Sequence, residues 1–156
     1  MYRYADICSQ LFTAVHKASH FKDLQFYYFH NCIYDYLYLD ASCNSRRTIK
    51  TADLMHNLDS EYKAIFVGDA AMAPSELLMV NGNIFWDMGN DEPGITWLKR
   101  LAGKFPHNAW LNPIPEAHWD WIHGHQTINM VREIFPMFEL TLEGLDRAIK
   151  KLMVRK

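Results

Sequence analysis

A short apolar run that ends in Gly-Asp is the feature that most constrains how this chain can fold. Ala64–Val67 is unbroken by polar residues and is followed by Gly68 and Asp69. A short run of this kind is typical of a strand buried on both faces, as in a parallel sheet covered by helices. Gly68 allows a sharp turn, so Asp69 is expected at the strand's carboxyl edge, where open α/β sheets bind ligands.

Length and composition fit a single domain over residues 1–156. The net charge of −2 gives no basic surplus, so nothing points to nucleic acid or an anionic membrane. Cys8, Cys32 and Cys43 lack C-x-x-C spacing, which favours free thiols in a reducing cytosol. The sequence contains no apolar stretch long enough to span a bilayer and opens without a basic-then-apolar leader. We therefore expect a soluble, cytoplasmic domain.

Predicted helices and strands alternate along the chain. An amphipathic helix over Tyr4–Ser19 comes first, with no strand before it. Leu24–Phe29 and Ile33–Leu39 then read as a hairpin, and the second strand alternates as an edge strand does. The later predicted elements are a helix over Thr48–Leu58, the strand Ala64–Val67, a helix over Pro74–Met79, a helix over Ile95–Phe105, a strand over Ala109–Asn112, one or two helices over Glu116–Phe135 divided near Gly124, a strand over Met137–Leu140 and a helix over Leu142–Val154. This order predicts an α/β layered domain around a mostly parallel sheet.

Several segments carry a family resemblance when they are read in order. They are F-Y-Y-F-H-N-C-I-Y-D (26–35), R-T-I-K-T-A-D-L (47–54), Y-K-A-I-F-V-G-D-A-A-M-A-P (62–74), W-L-N-P-I-P-E-A (110–117) and L-T-L-E-G-L-D-R-A (140–148). As an ordered set they resemble the von Willebrand factor A-type (VWA) domains of bacterial CoxE-like proteins, which are associated with MoxR-type AAA+ ATPases. The resemblance implies a Rossmann-like fold of three layers, with a mostly parallel central sheet and one antiparallel edge strand.

The resemblance also implies a metal-ion-dependent adhesion site. The family combines a D-x-S-x-S signature after the first strand with a Thr from a second loop and an Asp from a third. By resemblance Asp69 is the third-loop Asp and Thr48 the second-loop Thr, while Thr51 remains an alternative to Thr48. Carboxylate and hydroxyl oxygens suit Mg2+, with waters at other positions. One position would be left for a partner's carboxylate, which makes the metal a docking bridge.

The D-x-S-x-S signature does not occur in the sequence, and Met1 falls where a Met commonly ends that stretch in relatives. We therefore expect an N-terminally truncated or mis-started form of a longer protein that lacks the central first strand. That strand would lie between Leu24–Phe29 and Ala64–Val67. Either these two segments close on each other, or another copy's strand fills the gap in a homo-oligomer, because unpaired buried backbone groups are costly. Magnesium binding by this chain is expected to be weak or absent.

The expected function is a non-enzymatic interaction module that docks a MoxR-type AAA+ ATPase or its client. Two alternatives remain: a metal-dependent, phosphatase-like hydrolase whose nucleophile lies upstream of Met1, or an inactive fragment. An enzyme is disfavoured because the sequence has no D-x-D-x-T/V, G-x-S-x-G, P-loop or G-x-G-x-x-G motif. Simpler roles also exist for the site residues: Asp69 as a turn residue and Thr48 as a helix N-cap.

Other potential ligands and nucleophiles have ordinary explanations. His118, His123 and His125 match no zinc-binding spacing, even with Glu116 or Asp120 added. The tryptophans between them favour packing and surface histidines. His30 and Cys32 fall on the predicted hairpin without an orienting acid, so we expect core or turn residues there.

Overall fold

A computed structural model describes Cys8, Phe12 and the ranges 23–83 and 89–154. Its elements in chain order are the strand β1 (Tyr36–Tyr38), the strand β2 (Thr48–Lys50), the helix α1 (Thr51–Asn57), the strand β3 (Ala64–Val67), the helix α2 (Pro74–Leu78), the helix α3 (Gly94–Lys104), the strand β4 (Asn108–Asn112), a 3-10 turn (Glu116–His118), the helix α4 (His125–Ile134), the strand β5 (Met137–Glu139) and the helix α5 (Leu142–Leu152). Cys8 and Phe12 are helical.

The strands form two separate sheets. β3, β4 and β5 lie side by side in that order and are all parallel, with Phe66 opposite Trp110 and Trp110 opposite Met137. β1 and β2 form a two-stranded antiparallel sheet. The chain is therefore an α/β domain with a parallel sheet, as the sequence predicts, and this arrangement is compatible with a Rossmann-like fold.

Helices cover both faces of the parallel sheet. On one face Phe66 and Trp110 stack with ring centroids 5.7 Å apart, and Phe135 packs against both. Buried residues of α3 and α4 join this first cluster, among them Leu98, Leu101, Ile128 and Val131. On the opposite face α5 forms a second cluster from Leu145, Ala148, Leu152, Ala109 and Leu111. The parallel sheet is thus packed on both faces, which explains why β3 is apolar throughout and why the middle residues of β4 are apolar.

The predicted hairpin is only partly right. Within Ile33–Leu39 only Tyr36–Tyr38 forms a strand, and its ladder partner is Thr48–Lys50. Leu24–Phe29 contributes one bridge, between Tyr28 and Tyr38. The predicted helix over Thr48–Leu58 is present, but it begins at Thr51 and Thr48–Lys50 is a strand. Pairing with β1 draws the β-branched Thr48 and Ile49 into a strand, and this tertiary contact overrides the helical pattern.

The remaining predictions match more closely. β3 has the predicted bounds, and β4, β5, α3 and α5 differ from theirs by a few residues. The predicted break near Gly124 is confirmed: Gly124 precedes α4 with φ 92°. The predicted helix over Tyr4–Ser19 lies outside the described residues apart from Cys8 and Phe12. No helix in the described part of the chain is long and apolar enough to cross a membrane. Backbone pairing between Leu24–Phe29 and β3, one of the two expected arrangements, does not occur among those residues.

Candidate functional site

Asp69 follows β3 at the carboxyl edge of the parallel sheet. The preceding residue is fixed on both sides: the Gly68 N–H donates to the Leu111 carbonyl at 3.1 Å, and Trp110 Nε1 donates to the Gly68 carbonyl at 2.8 Å. The Asp69 side chain is exposed, and its Oδ1 accepts a hydrogen bond from the Ala71 N–H at 3.0 Å. Its other oxygen has no protein partner among the described residues, so the carboxylate can still bind a ligand.

Asn112 ties the end of β4 to the end of β3. Its side chain is fully buried. Nδ2 donates to the Asp69 carbonyl at 2.8 Å, and Oδ1 accepts from the Ile114 N–H at 2.9 Å. One amide group therefore positions the backbone of Asp69 and also turns the chain after β4.

Thr127 holds the loop after Asp69 from the opposite side. It lies on the buried face of α4, and its Oγ1 donates to the Ala70 carbonyl at 2.7 Å and accepts from the Met72 N–H at 3.0 Å. Ala70 has a φ of 57°, which is uncommon for a residue other than glycine. Gly124 packs against the same loop, since a Cβ at Gly124 would lie 2.9 Å from the Ala71 Cβ. The loop that presents Asp69 is thus fixed at both ends.

Glu139 ends β5 at the same edge of the sheet. Its Oε1 accepts from the Glu116 N–H at 2.6 Å, which joins the end of β5 to the 3-10 turn after β4. Asp69 follows β3, while Asn112 and Glu139 are the last residues of β4 and β5, so each parallel strand ends near a side chain with an oxygen atom. The Asp69 carboxylate is exposed and forms no ion pair with the described residues, and a carboxylate oxygen is a ligand that a hard cation prefers.

The two candidate threonines lie elsewhere. Thr48 is half-buried at the start of β2, opposite Tyr38, in the antiparallel sheet, and no hydrogen bond joins it to Asp69. Thr51 is fully buried, and its Oγ1 donates to the Tyr34 carbonyl at 2.5 Å. Thr51 is therefore the weaker candidate for a metal ligand, because its hydroxyl already satisfies a buried carbonyl.

The chemistry of the donors gives a simple test of fit for Mg2+. In the described ranges no group of three or more His, Cys, Asp or Glu side chains could hold a metal ion. Mg2+ is commonly bound through one or two carboxylates with several waters completing its shell. Asp69 supplies one exposed carboxylate of this kind at the sheet edge.

The histidine segment contributes a buried tryptophan to the core, and the predicted hairpin contributes a buried cysteine. Trp119 is buried, donates from Nε1 to the Ile114 carbonyl at 2.7 Å and packs its ring under Arg132. Cys32 is also buried, and burial raises the pKa of its thiol to about 12. A thiol with that pKa carries almost no thiolate at neutral pH, which argues against a nucleophilic Cys32.

Sequence reasoning missed Asn112 and Thr127, which position the loop. A weak signal for each existed: Asn112 is a polar residue at the end of an apolar strand, and Thr127 falls on the apolar stripe of α4. A buried polar side chain normally has a hydrogen-bond partner, so both positions indicated a specific contact without identifying it.

Comparisons of the chain with protein-family models, with curated proteins and with solved structures gave no match.

Proposed function

We propose that this chain is a non-enzymatic protein–protein interaction module of the VWA type. The family resemblance of its ordered segments is one support. Another is the architecture: a parallel sheet between helices, with an acidic residue after the edge strand β3. Burial raises the thiol pKa of Cys8, Cys32 and Cys43, which disfavours a cysteine nucleophile.

The observation that carries the proposal is the placement of Asp69. Its carboxylate is exposed, while Asn112 and Thr127 hold the backbone on either side of it. A fixed backbone that presents one exposed charged group is suited to docking, because little conformational entropy is lost when a partner binds.

The docking we propose uses a divalent cation, Mg2+, with Asp69 and Thr48 as ligands from this chain. Thr48 would have to approach Asp69 from the antiparallel sheet. A partner carboxylate would complete the coordination, so the cation is expected to bind weakly until the partner arrives. The partner we propose is a MoxR-type AAA+ ATPase or its client, with the pair acting in the assembly or maturation of another protein complex.

The proposal is tested by replacing Asp69 with asparagine and following magnesium binding. Asp69→Asn keeps an oxygen that can accept from the Ala71 N–H but removes the charge. We expect MgCl2 to shift the Ala71 amide resonance of the wild type in NMR spectra and to leave that of Asp69→Asn unchanged. Loss of a residue that merely supports a metal ligand costs roughly 10–100-fold in affinity, so loss of the ligand should cost at least as much.

Asp59→Asn is the matched control, because Asp59 is also exposed and also accepts from an N–H two residues later, that of Glu61 at 2.9 Å. This variant should respond to MgCl2 as the wild type does. Capture of a purified MoxR-type AAA+ ATPase should be stronger in MgCl2 than in EDTA for the wild type and Asp59→Asn. Equal capture by Asp69→Asn would contradict the proposed docking mode.

A further inference from the structure

A small cavity lies beside β1 and is partly open to solvent. The residues that line it include Asp35, Tyr36, Tyr38 and His30, with Asn83 and Gly89 from the chain between α2 and α3. The cavity measures about 20 Å³. A single water molecule needs about 10–15 Å³ on the same measure, so the cavity admits a group of roughly one or two non-hydrogen atoms.

Hydrogen bonds hold both the backbone and the side chain of Asp35. Its backbone carbonyl accepts from the Thr51 N–H at 2.8 Å. In its carboxylate, Oδ1 accepts from Trp97 Nε1 at 2.9 Å and Oδ2 accepts from the Asp91 N–H at 3.1 Å. A carboxylate has about four lone-pair sites, so each oxygen can still accept from a further donor. A fixed carboxylate with remaining acceptor capacity therefore lies beside the cavity.

The negative charge of Asp35 is not balanced by a cation within the described ranges. Both donors to its carboxylate are neutral, and none of the ion pairs among the described residues includes Asp35. The residue is half-buried. A carboxylate that is partly withdrawn from water is stabilised by a cation that also donates a hydrogen bond to it. The site therefore favours a small cationic donor over a neutral or anionic group.

The walls of the cavity suit such a cation. Tyr36 and Tyr38 are alternate residues of β1, so their side chains leave the strand on the same side. Aromatic rings near a carboxylate are a combination that binds ammonium groups in proteins. The opposite wall is fixed by Asn90, which is fully buried: its Oδ1 accepts from the Asn83 N–H at 3.0 Å, and its Nδ2 donates to the Glu92 carbonyl at 2.8 Å.

We propose that this cavity binds a primary ammonium group, with Asp35 as its ion-pair partner and Tyr36 and Tyr38 as its aromatic wall. An ammonium nitrogen with one attached carbon matches the volume, whereas a guanidinium group or a tetramethylammonium ion is too large. The ammonium group belongs either to a free alkylamine or to a lysine side chain of a partner protein. The cavity shares no lining residue with the Asp69 site, and the inference does not depend on magnesium.

NMR titration of the full chain tests the proposal. The reporter is the Trp97 indole N–H, because it donates to Asp35. At an ionic strength held constant with NaCl, methylammonium chloride should shift this resonance saturably, and tetramethylammonium chloride and KCl should not. Nα-acetyllysine methylamide distinguishes the two sources of the ammonium group. Tighter binding of this compound than of methylammonium would assign the cavity to a partner's lysine, and weaker binding would assign it to a free amine.

Two variants locate the binding. Asp35→Asn removes the charge and should weaken methylammonium binding at least about tenfold, because the ion pair is lost. Tyr36→Leu keeps the charge at an exposed position and should weaken binding about two- to fivefold, through the loss of an aromatic ring. It keeps the test decisive if Asp35→Asn fails to fold. Asp59→Asn is the matched control: it removes an exposed carboxylate that does not line the cavity, and it should bind as the wild type does.

Three results would overturn the proposal. The absence of a saturable shift with methylammonium would mean that the cavity holds only water. An equal shift with KCl or tetramethylammonium chloride would show a response to cations in general and not to an ammonium group. Unchanged methylammonium binding by both Asp35→Asn and Tyr36→Leu would place the amine elsewhere on the protein.

Discussion

At the scale of single residues, Thr127 holds the loop after β3 through a fully buried hydroxyl group. That hydroxyl donates to the Ala70 carbonyl and accepts from the Met72 N–H, while Asn112 holds the Asp69 carbonyl. Ala70 keeps a positive φ in this arrangement. A buried donor and a buried acceptor of the loop therefore depend on one side chain.

Replacing Thr127 with valine tests this dependence. Thr127→Val keeps the shape but leaves the Met72 N–H and the Ala70 carbonyl unpaired, so the free energy of unfolding in urea should fall by roughly 1–3 kcal/mol. Thr127→Ser keeps the hydroxyl and should lose only about 0.8 kcal/mol for the missing methyl group. Equal stability of the valine and serine variants would show that the hydroxyl does not hold the loop.

At the scale of elements, the sequence predicts best what depends on local apolar patterns. β3 is a short apolar run between turn residues, and α5 has an apolar stripe of Leu145, Ala148 and Leu152, so both were predictable. The strand β2 was not predictable, because Thr48–Lys50 becomes a strand only through its pairing with β1. The site is limited in the same way. The Gly68-Asp69 pair indicated an acidic residue at the sheet edge, but the contacts of its loop with Asn112 and α4 are tertiary and do not follow from local sequence.

Replacing each of two glycines at the ends of helices with alanine should change the free energy of unfolding in opposite directions. Gly124 precedes α4 with φ 92°, and a Cβ there would lie 2.9 Å from the Ala71 Cβ. Gly103 lies near the end of α3, and a Cβ there would meet nothing within 4 Å. Gly103→Ala should raise the free energy of unfolding by about 0.4–1 kcal/mol, and Gly124→Ala should lower it by more than that.

Both variants are compared with the wild type by urea unfolding. The NMR chemical shift of the Ala71 amide should also change in Gly124→Ala, because the added methyl group displaces the loop that carries Asp69. The same chemical shift should stay unchanged in Gly103→Ala. A stabilising Gly124→Ala would mean that α4 does not pack tightly on this loop.

At the scale of the whole molecule, the parallel sheet presents Asp69 at its carboxyl edge and the outer side of β3 at its lateral edge. Ile65 and Val67 direct their backbone N–H and C=O groups to that outer side, where no described strand pairs with them. A docking module needs an exposed, fixed group, which the carboxyl edge provides, and the proposed function rests on that edge.

Stability of the whole chain at alkaline pH should depend on Cys32. Burial, with the Glu76 carboxylate nearby, raises the pKa of the Cys32 thiol from 9.0 to about 12. As the pH rises above about 9, the thiol ionises in the unfolded chain but stays protonated in the folded one, so the free energy of unfolding falls until about pH 12. The contribution of this thiol is at most about 1.4 kcal/mol for each pH unit.

The variant Cys32→Ala removes this contribution of the thiol to the pH dependence. It keeps Tyr34, whose pKa is also raised by burial. The free energy of unfolding in urea is measured at about pH 8 to 11, and it should fall less steeply with pH for Cys32→Ala than for the wild type. If it falls equally steeply for both proteins, Cys32 ionises as readily in the folded chain as in the unfolded one.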